Sequence, residues 1–511
     1  MDLSTNSPFW RAAIVTVPGL VLALYIASEL GAGNFSTPIL FLVSTIVILA
    51  VFVLTKQIRF EAVVLGFLLF GYIVGQGGFA HFSLSERSNI YFGELGMMAC
   101  AGAYLARVAF TREKIIPRQP LAWAILLLII AGVVRVSFDL AGTNKPMVVI
   151  RDFATIYYAA FFFIAYNVCK HPPSRLFLQR VLTFSLVTLI ITYFVWLAFA
   201  TFFNHFQIRG RPLIELRSDL TGSFMSFACV YFFLQQKTGG KRMIAIALGL
   251  AAFVLILVAM SRATFVGLGA AIVLLIICRK TYIVSYLALF SVIAGLTLAV
   301  VGMNTGSLGE ETIVSRLTDK AMSLVAPFTG TKYEYAGVTG DVATGNNRFR
   351  ETWWNSVINE TMEKSPLTGL GFGYDLAKRF LQTYNAPLNQ YEFDARSPHS
   401  IILTIFGRMG LVGILSLTVI VYLILRSSIR CAMAVRKRKI PAIYIAPWCG
   451  VIAIFATACF GVMLEGPMAA IVFWSLLGLS ALREVELKES KALARAGSTS
   501  LRRLPALEQV S

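Results

Sequence analysis

Apolar runs of membrane-crossing length recur along this chain between short polar stretches. A bilayer core needs roughly 17–25 apolar residues per helix. Intervals of about that kind fall at 12–30, 38–55, 61–80, 90–108, 121–138, 147–168, 181–203, 219–236, 243–260, 263–278, 281–302, 399–425, 442–464 and 467–482. The pattern predicts an all-α integral membrane protein with about 14 (12–14) transmembrane helices and one large loop. It divides into an N-terminal bundle of about eleven helices over 1–302, the loop over 303–398, further transmembrane helices over 399–482 and a charged tail over 483–511. The first run has no small-residue cleavage site and a second follows at once, so it reads as a span and not as a removed signal peptide.

Composition sharpens the class. The 511 residues are 57% hydrophobic and only 14% charged, with a mean hydropathy of +0.74, which excludes an ordinary soluble protein. The net charge of +19 sits in short clusters between apolar runs, with no contiguous basic domain interleaved with aromatics, so it points to membrane orientation and not to nucleic acid.

Every second loop is basic: Lys56 and Arg59; Arg112, Lys114 and Arg118; Lys170, Arg175 and Arg180; Lys237, Lys241 and Arg242; Arg279 and Lys280; then Arg430, Arg436, Lys437, Arg438 and Lys439. By the positive-inside rule these loops are cytoplasmic. An even number of spans then puts both termini inside and 303–398 outside. The outer loop holds none of the seven cysteines, so no disulfide framework is available there. No CxxC, HExxH or Walker-type loop occurs, and no metal or cofactor is expected.

The rule is broken in three places. "NHFQIRGRPLIELRSDLTG" puts Arg209, Arg211 and Arg217 outside, with Glu215 and Asp219 to neutralise part of the cluster; "SRAT" puts Arg262 at an outer hairpin tip; "NNRFRETWWNSV" adds Arg348 and Arg350. Guanidinium groups gathered on one face suit phosphate oxygens, because each planar fork donates two parallel hydrogen bonds and stays charged. Helix–helix ion pairing is expected of Arg135, Asp139, Arg151 and Asp152. Arg408, about 13 Å along the helix from His399 and on its opposite side, reads as a structural ion pair with Glu465 or Glu94.

One of the four histidines stands at the threshold of an apolar run, in "SPHSIILTIFGRMGLVG". Ser397, Pro398 and His399 read as N-cap, first and second helical positions. A helix N-terminus and nearby arginines disfavour imidazolium and keep the ring neutral, the form that takes a proton.

This stretch has the form H-[NSQ]-x9-G-x-x-[GTY], with His399, Ser400, Gly410 and Gly413 at the fixed positions. It resembles the motif of bacterial O-antigen ligases and the related polysaccharide polymerases. "RFRETWWNSVINETMEKSPLTGLGFG" resembles the family's outer-loop pattern, supplied by Arg350 or Arg348, Trp353 or Trp354, Pro366, Leu367, Gly369, Gly371 and Gly373. "SRATFVGL" is similar to a third family segment, and Arg211 to Gly222 has an Arg-x10-Gly spacing similar to that of the polymerases. Where family members often carry an acidic residue this chain has Arg408.

The resemblance implies a GT-C-like fold in the bacterial inner membrane and a periplasmic catalytic loop at 303–398. It also implies inverting, metal-independent transfer of a glycan from undecaprenyl pyrophosphate to a sugar hydroxyl. The acceptor would be lipid A-core for a ligase and a second lipid-linked glycan for a polymerase. His399 suits the base that takes the hydroxyl proton, and Arg211 or Arg217, Arg262, and Arg348 or Arg350 suit the leaving pyrophosphate. A lipid-linked oligosaccharide flippase is the alternative, though it calls for internal repeats and charges along a central cavity, and the charges here gather at one face.

The alternation of basic loops makes one topological prediction. A cysteine introduced at Gly340 is labelled by a membrane-impermeant thiol reagent in intact spheroplasts, and protection of that site would overturn the orientation.

Overall fold

A computed structural model describes residues 58–85, 88–111, 116–142, 145–199, 203, 207–208, 211–212, 214–235, 238–259, 261–304, 339–383 and 396–501. The spans expected at 12–30 and 38–55 lie outside the described residues, as does Arg209. Each of the other expected intervals is occupied by helix.

In chain order these are α1 (Phe60–Ala80), α2 (Phe92–Thr111), α3 (Pro120–Ala141), α4 (Pro146–Tyr157), α5 (Ala160–Cys169), α6 (Pro172–Ala198), α7 (Ser218–Leu234), α8 (Gly240–Ala259), α9 (Arg262–Ile277) and α10 (Thr281–Asn304). Then follow α11 (Thr339–Lys364), the short α12 (Lys378–Thr383), α13 (Ile401–Arg436), α14 (Ala446–Ala458) and α15 (Pro467–Leu501). Proline opens α3, α4 and α6, at positions where the missing amide has no helical partner to lose. Among the described residues the only paired strands form two antiparallel ribbons, β1 (Ser83–Ser85) with β2 (Ser88–Tyr91) and β3 (Gln207–Ile208) with β4 (Arg211–Pro212).

The chain is a multi-pass membrane protein. Six described helices, α1, α3, α6, α8, α13 and α15, are long and apolar enough to cross a bilayer, and a seventh is added if α4 and α5, bent by 43°, act as one span. The expected count of about fourteen is a count of apolar intervals, and several of these hold helices too short to cross alone. At 1.5 Å per residue the 16-residue α9 reaches only about 24 Å.

Two of these shorter helices, α7 and α14, are largely buried. α7 is buried around most of its circumference, because Gly222, Ser223, Ser226, Ala228 and Cys229 let neighbouring backbones come close. α3, α6 and α13 instead expose Leu127, Ile130, Phe184, Ile191, Leu415 and Val419, as a lipid-facing surface requires.

α13 is broken within. Gly410 has φ 59° and ψ −148°, and there the Gly-rich loop after α11 enters the helix. The N–H groups of Leu370 and Gly371 donate to the carbonyls of Gly407 and Arg408 (2.7 and 3.2 Å), while those of Leu411 and Val412 donate to the carbonyls of Pro366 and Leu367 (2.9 and 3.2 Å). Continuous helix would have joined 411 to 407 and 412 to 408. Four bonds to the loop replace those two.

Acidic side chains from α3 and α4 hold the inserted loop. Asp139 accepts from the Phe372 N–H (2.7 Å) and Asp152 from the Gly373 N–H (2.9 Å). Arg408 pairs with neither Glu465 nor Glu94, contrary to expectation. Only 2% exposed, it pairs with Asp152 at 2.9 Å and donates to the carbonyls of Gly371 and Tyr374. Glu465 accepts from Ser397 and Thr404, and Glu94 from Tyr157 and Tyr158. The expected pairing among the four outer charges is realised differently too. Arg135 pairs with Asp139 on its own helix at 3.2 Å, and Asp152 reaches Arg396 as well, at 3.1 Å.

Behind the loop, α11 and α12 form a small separate core of Trp353, Val357, Leu376, Ala377 and Phe380. A side chain at 410 would meet the backbone of Leu367 and Gly369 at 2.6 Å in a backbone region hostile to L residues. Gly410→Ala is therefore expected to destabilise the protein by about 2–4 kcal/mol, combining strain with overpacking. Gly269→Ala, at a helical site with open space around the added carbon, is expected to be neutral or stabilising by up to about 1 kcal/mol. Thermal unfolding in detergent compares the two.

Candidate functional site

The segment before α7 docks on a break in α1. A π-helical turn at Gly71–Gly75 ends at Gln76, whose φ is 46°. Its buried side-chain oxygen accepts from the Arg217 N–H (3.0 Å) and the Thr221 hydroxyl (2.8 Å). Backbone bonds from Glu215 N–H to Gly75 carbonyl (3.4 Å) and from Gly77 N–H to Glu215 carbonyl (3.1 Å) complete the joint. This fixes Arg217 as the residue immediately before the helix, with its side chain exposed.

α7 and α9 then meet at their N-terminal ends. Asp219, in the first turn of α7, accepts from the Ser261 hydroxyl, and Arg262 is the first residue of α9. Gly222 permits the crossing, since a Cβ there would lie 2.2 Å from the Thr264 hydroxyl oxygen.

His399 closes the group from α13, though not as the sequence suggested. The helix begins at Ile401 with Ser400 in the N-cap position. Ser397, expected there, instead donates to Glu465 at 2.9 Å. His399 lies immediately before the N-cap, with φ +55°. Burial lowers the imidazole pKa from its ordinary 6.5; Arg350 and Arg217 lower it further, and Asp219 opposes them. Neutral imidazole is therefore favoured at pH 7.

α11 supplies the remaining charge. Arg350 acts electrostatically on both His399 and Arg262. Its helix also carries Trp353, whose ring centroid lies 5.8 Å from that of the imidazole at 68°. The structure thus brings together His399, Arg217, Arg262 and Arg350. Arg211 lies in β4, paired with Ile208, and Arg348 lies in α11; their side chains fall outside the described residues.

Residues 245–418 match the family model described as O-Antigen ligase. That match supports the O-antigen ligase family for this chain. It covers about a third of the chain and, in general terms, supports a membrane glycosyltransferase of the ligase or polymerase type. No curated protein matches the chain. The ligase-family segment contains Arg262, Arg350, His399 and Gly410, whereas Arg217, just before α7, and Asp219, in its first turn, precede it.

Sequence reading missed Asp219 as a partner of Ser261, the contacts of the two tryptophans with the histidine segment, and the Glu465 bond. The tryptophans stood in the quoted outer-loop stretch, but nothing in their spacing indicates that they face residues 44 to 46 positions later. In the sequence Gly222 marks only the end of the Arg-x10-Gly spacing; its physical use is to admit α9. Gly222→Val should displace α9 and with it Arg262. The expected outcome is inserted protein with transfer activity reduced at least tenfold, and wild-type activity at matched membrane expression would show that the crossing tolerates a side chain.

Proposed function

We propose that this protein transfers a glycan from a polyprenyl-pyrophosphate carrier, undecaprenyl pyrophosphate in bacteria, to a sugar hydroxyl at the periplasmic face. The observation that carries the reading is that α11, the helix bearing Arg350, packs Trp353 against the His399 ring at 5.8 Å and bonds Trp354 to the Pro398 carbonyl, so a histidine and an arginine-bearing helix share one place. The acceptor hydroxyl gives its proton to His399 as its oxygen bonds to the anomeric carbon, and the bond from that carbon to the pyrophosphate oxygen breaks. Arg217, Arg262 and Arg350, with Arg211 and Arg348 as further candidates, stabilise the charge gained by the leaving group. Single displacement inverts the anomeric centre. The arginines supply the positive charge a metal would otherwise bring, so turnover is expected to survive EDTA.

The apolar spans beside the cluster suit a lipid carrier, and the loop 303–398 suits its sugars. In this reading both termini are cytoplasmic and the protein lies in the bacterial inner membrane. The acceptor is lipid A-core or a second lipid-linked glycan, and purified protein offered each acceptor distinguishes ligase from polymerase.

His399→Gln retains hydrogen bonding without a base at neutral pH. Glycan transfer should fall by roughly 10²–10⁴-fold with donor binding retained, and near wild-type turnover would remove the base. The pH profile gives an independent check. A base works only while neutral, so a lowered pKa extends activity below pH 6.5. Losing the positive charge in Arg350→Gln raises the imidazole pKa and moves the acid limb to higher pH. Losing the negative charge in Asp219→Asn moves it lower.

A further inference from the structure

Trp353 and Trp354 are neighbours on α11, and both reach the segment that carries His399. Trp353 is fully buried; its indole N–H donates to the Leu376 carbonyl at 3.0 Å and its ring stacks on Phe380 with centroids 5.2 Å apart. It forms a fixed wall against the imidazole. Trp354 is half-buried, lies 6.4 Å from the Phe460 ring, and donates its indole N–H to the Pro398 carbonyl at 2.7 Å.

That carbonyl belongs to the peptide plane whose N–H is that of His399. Because the peptide is planar, turning the plane changes the φ of His399 directly. The φ of +55° lies in the left-handed region, which residues other than glycine occupy when their surroundings hold them there. Ser397, bonded to Glu465, holds the chain before the proline, and Trp354 holds the plane itself. Arg350 stands four residues before Trp354 on the same helix face. One rigid element therefore carries both an anion-holding charge and the bond that orients the histidine.

We propose that Trp354 is a positioning residue for His399: its indole N–H, by holding the Pro398 carbonyl, keeps the imidazole against Trp353 and beside the arginines. The inference rests on the reading of His399 as the base.

Trp354→Phe deletes the N–H and keeps an aromatic ring. In full-length protein with a lipid-linked oligosaccharide donor, kcat is expected to fall about 10–100-fold, the scale of a misplaced catalytic group, with donor KM changed less than about threefold. The acid limb should move up towards the ordinary imidazole range. Release from burial raises the pKa, and so does distance from Arg350 and Arg217, which outweighs distance from Asp219. Modification of His399 by diethyl pyrocarbonate, followed by mass spectrometry, should accelerate, a readout that needs no turnover.

Unchanged kcat, or an unchanged acid limb and modification rate despite lost kcat, would overturn the inference. If His399→Gln is impaired while Trp354→Phe is not, only the positioning role falls. If His399→Gln is as active as wild type, the base reading falls and the inference with it.

Discussion

The exchange of backbone hydrogen bonds at Gly410 is the constraint on which the histidine-bearing end of this molecule depends. A broken helix inside a membrane protein leaves carbonyl and amide groups that lipid cannot satisfy. Here the Gly-rich loop supplies both kinds of partner, with Gly369, Gly371 and Gly373 all at positive φ. Loop and helix are each incomplete without the other. Their union fixes α11 relative to α13, and so fixes Arg350, Trp353 and Trp354 relative to His399.

Buried charge reinforces the same joint. Isolated in an apolar interior, the Arg408 guanidinium would cost several kcal/mol in lost hydration. It is instead shared between the Asp152 carboxylate and two loop carbonyls. Asp152 in turn accepts from Arg396 and from the Gly373 amide, and Asp139 from the Phe372 amide. Carboxylates of the N-terminal bundle thus hold the loop, and the loop holds the helix that follows the histidine. The network explains why Arg408, buried and saturated by these partners, belongs to the scaffold.

The candidate site has the opposite character, because positive charges act on one another and on the histidine there. Arg350 and Arg217 act on His399, Arg350 acts on Arg262 as well, and among the described residues Asp219 is the carboxylate that bears on the imidazole. Like charges brought together repel, and Gln76 beneath Arg217, the Asp219–Ser261 bond beside Arg262 and the core around Trp353 hold the elements that carry them. In the proposed reaction an anion meets positive charge there, and a neutral imidazole beside it needs no prior loss of a proton. A phosphate leaving group and a hydroxyl nucleophile match that pairing.

Periodicity and charge were sufficient for the class of this protein. Apolar intervals marked its helices because a bilayer imposes length and composition on any segment that crosses it. Arg211, Arg217, Arg262, Arg348 and Arg350 stand out in the sequence because they fall in loops that the alternation of basic loops assigns to the other side. His399, Gly410 and the Gly-rich stretch were legible as motifs, since they are local in the chain. Tertiary structure alone decided what these residues touch. The partner of Arg408 proved to be Asp152, 256 positions earlier, because the inserted loop lies between α4 and the broken helix. The start of α13 moved to Ile401 because Glu465 competes for the hydroxyl of Ser397 that local chemistry would have spent on a cap. Gly222 acquired its meaning from Thr264 on another helix. Propensity and spacing act over a few residues, whereas bond partners in a helical bundle are set by which helices cross, and that is a property of the whole fold.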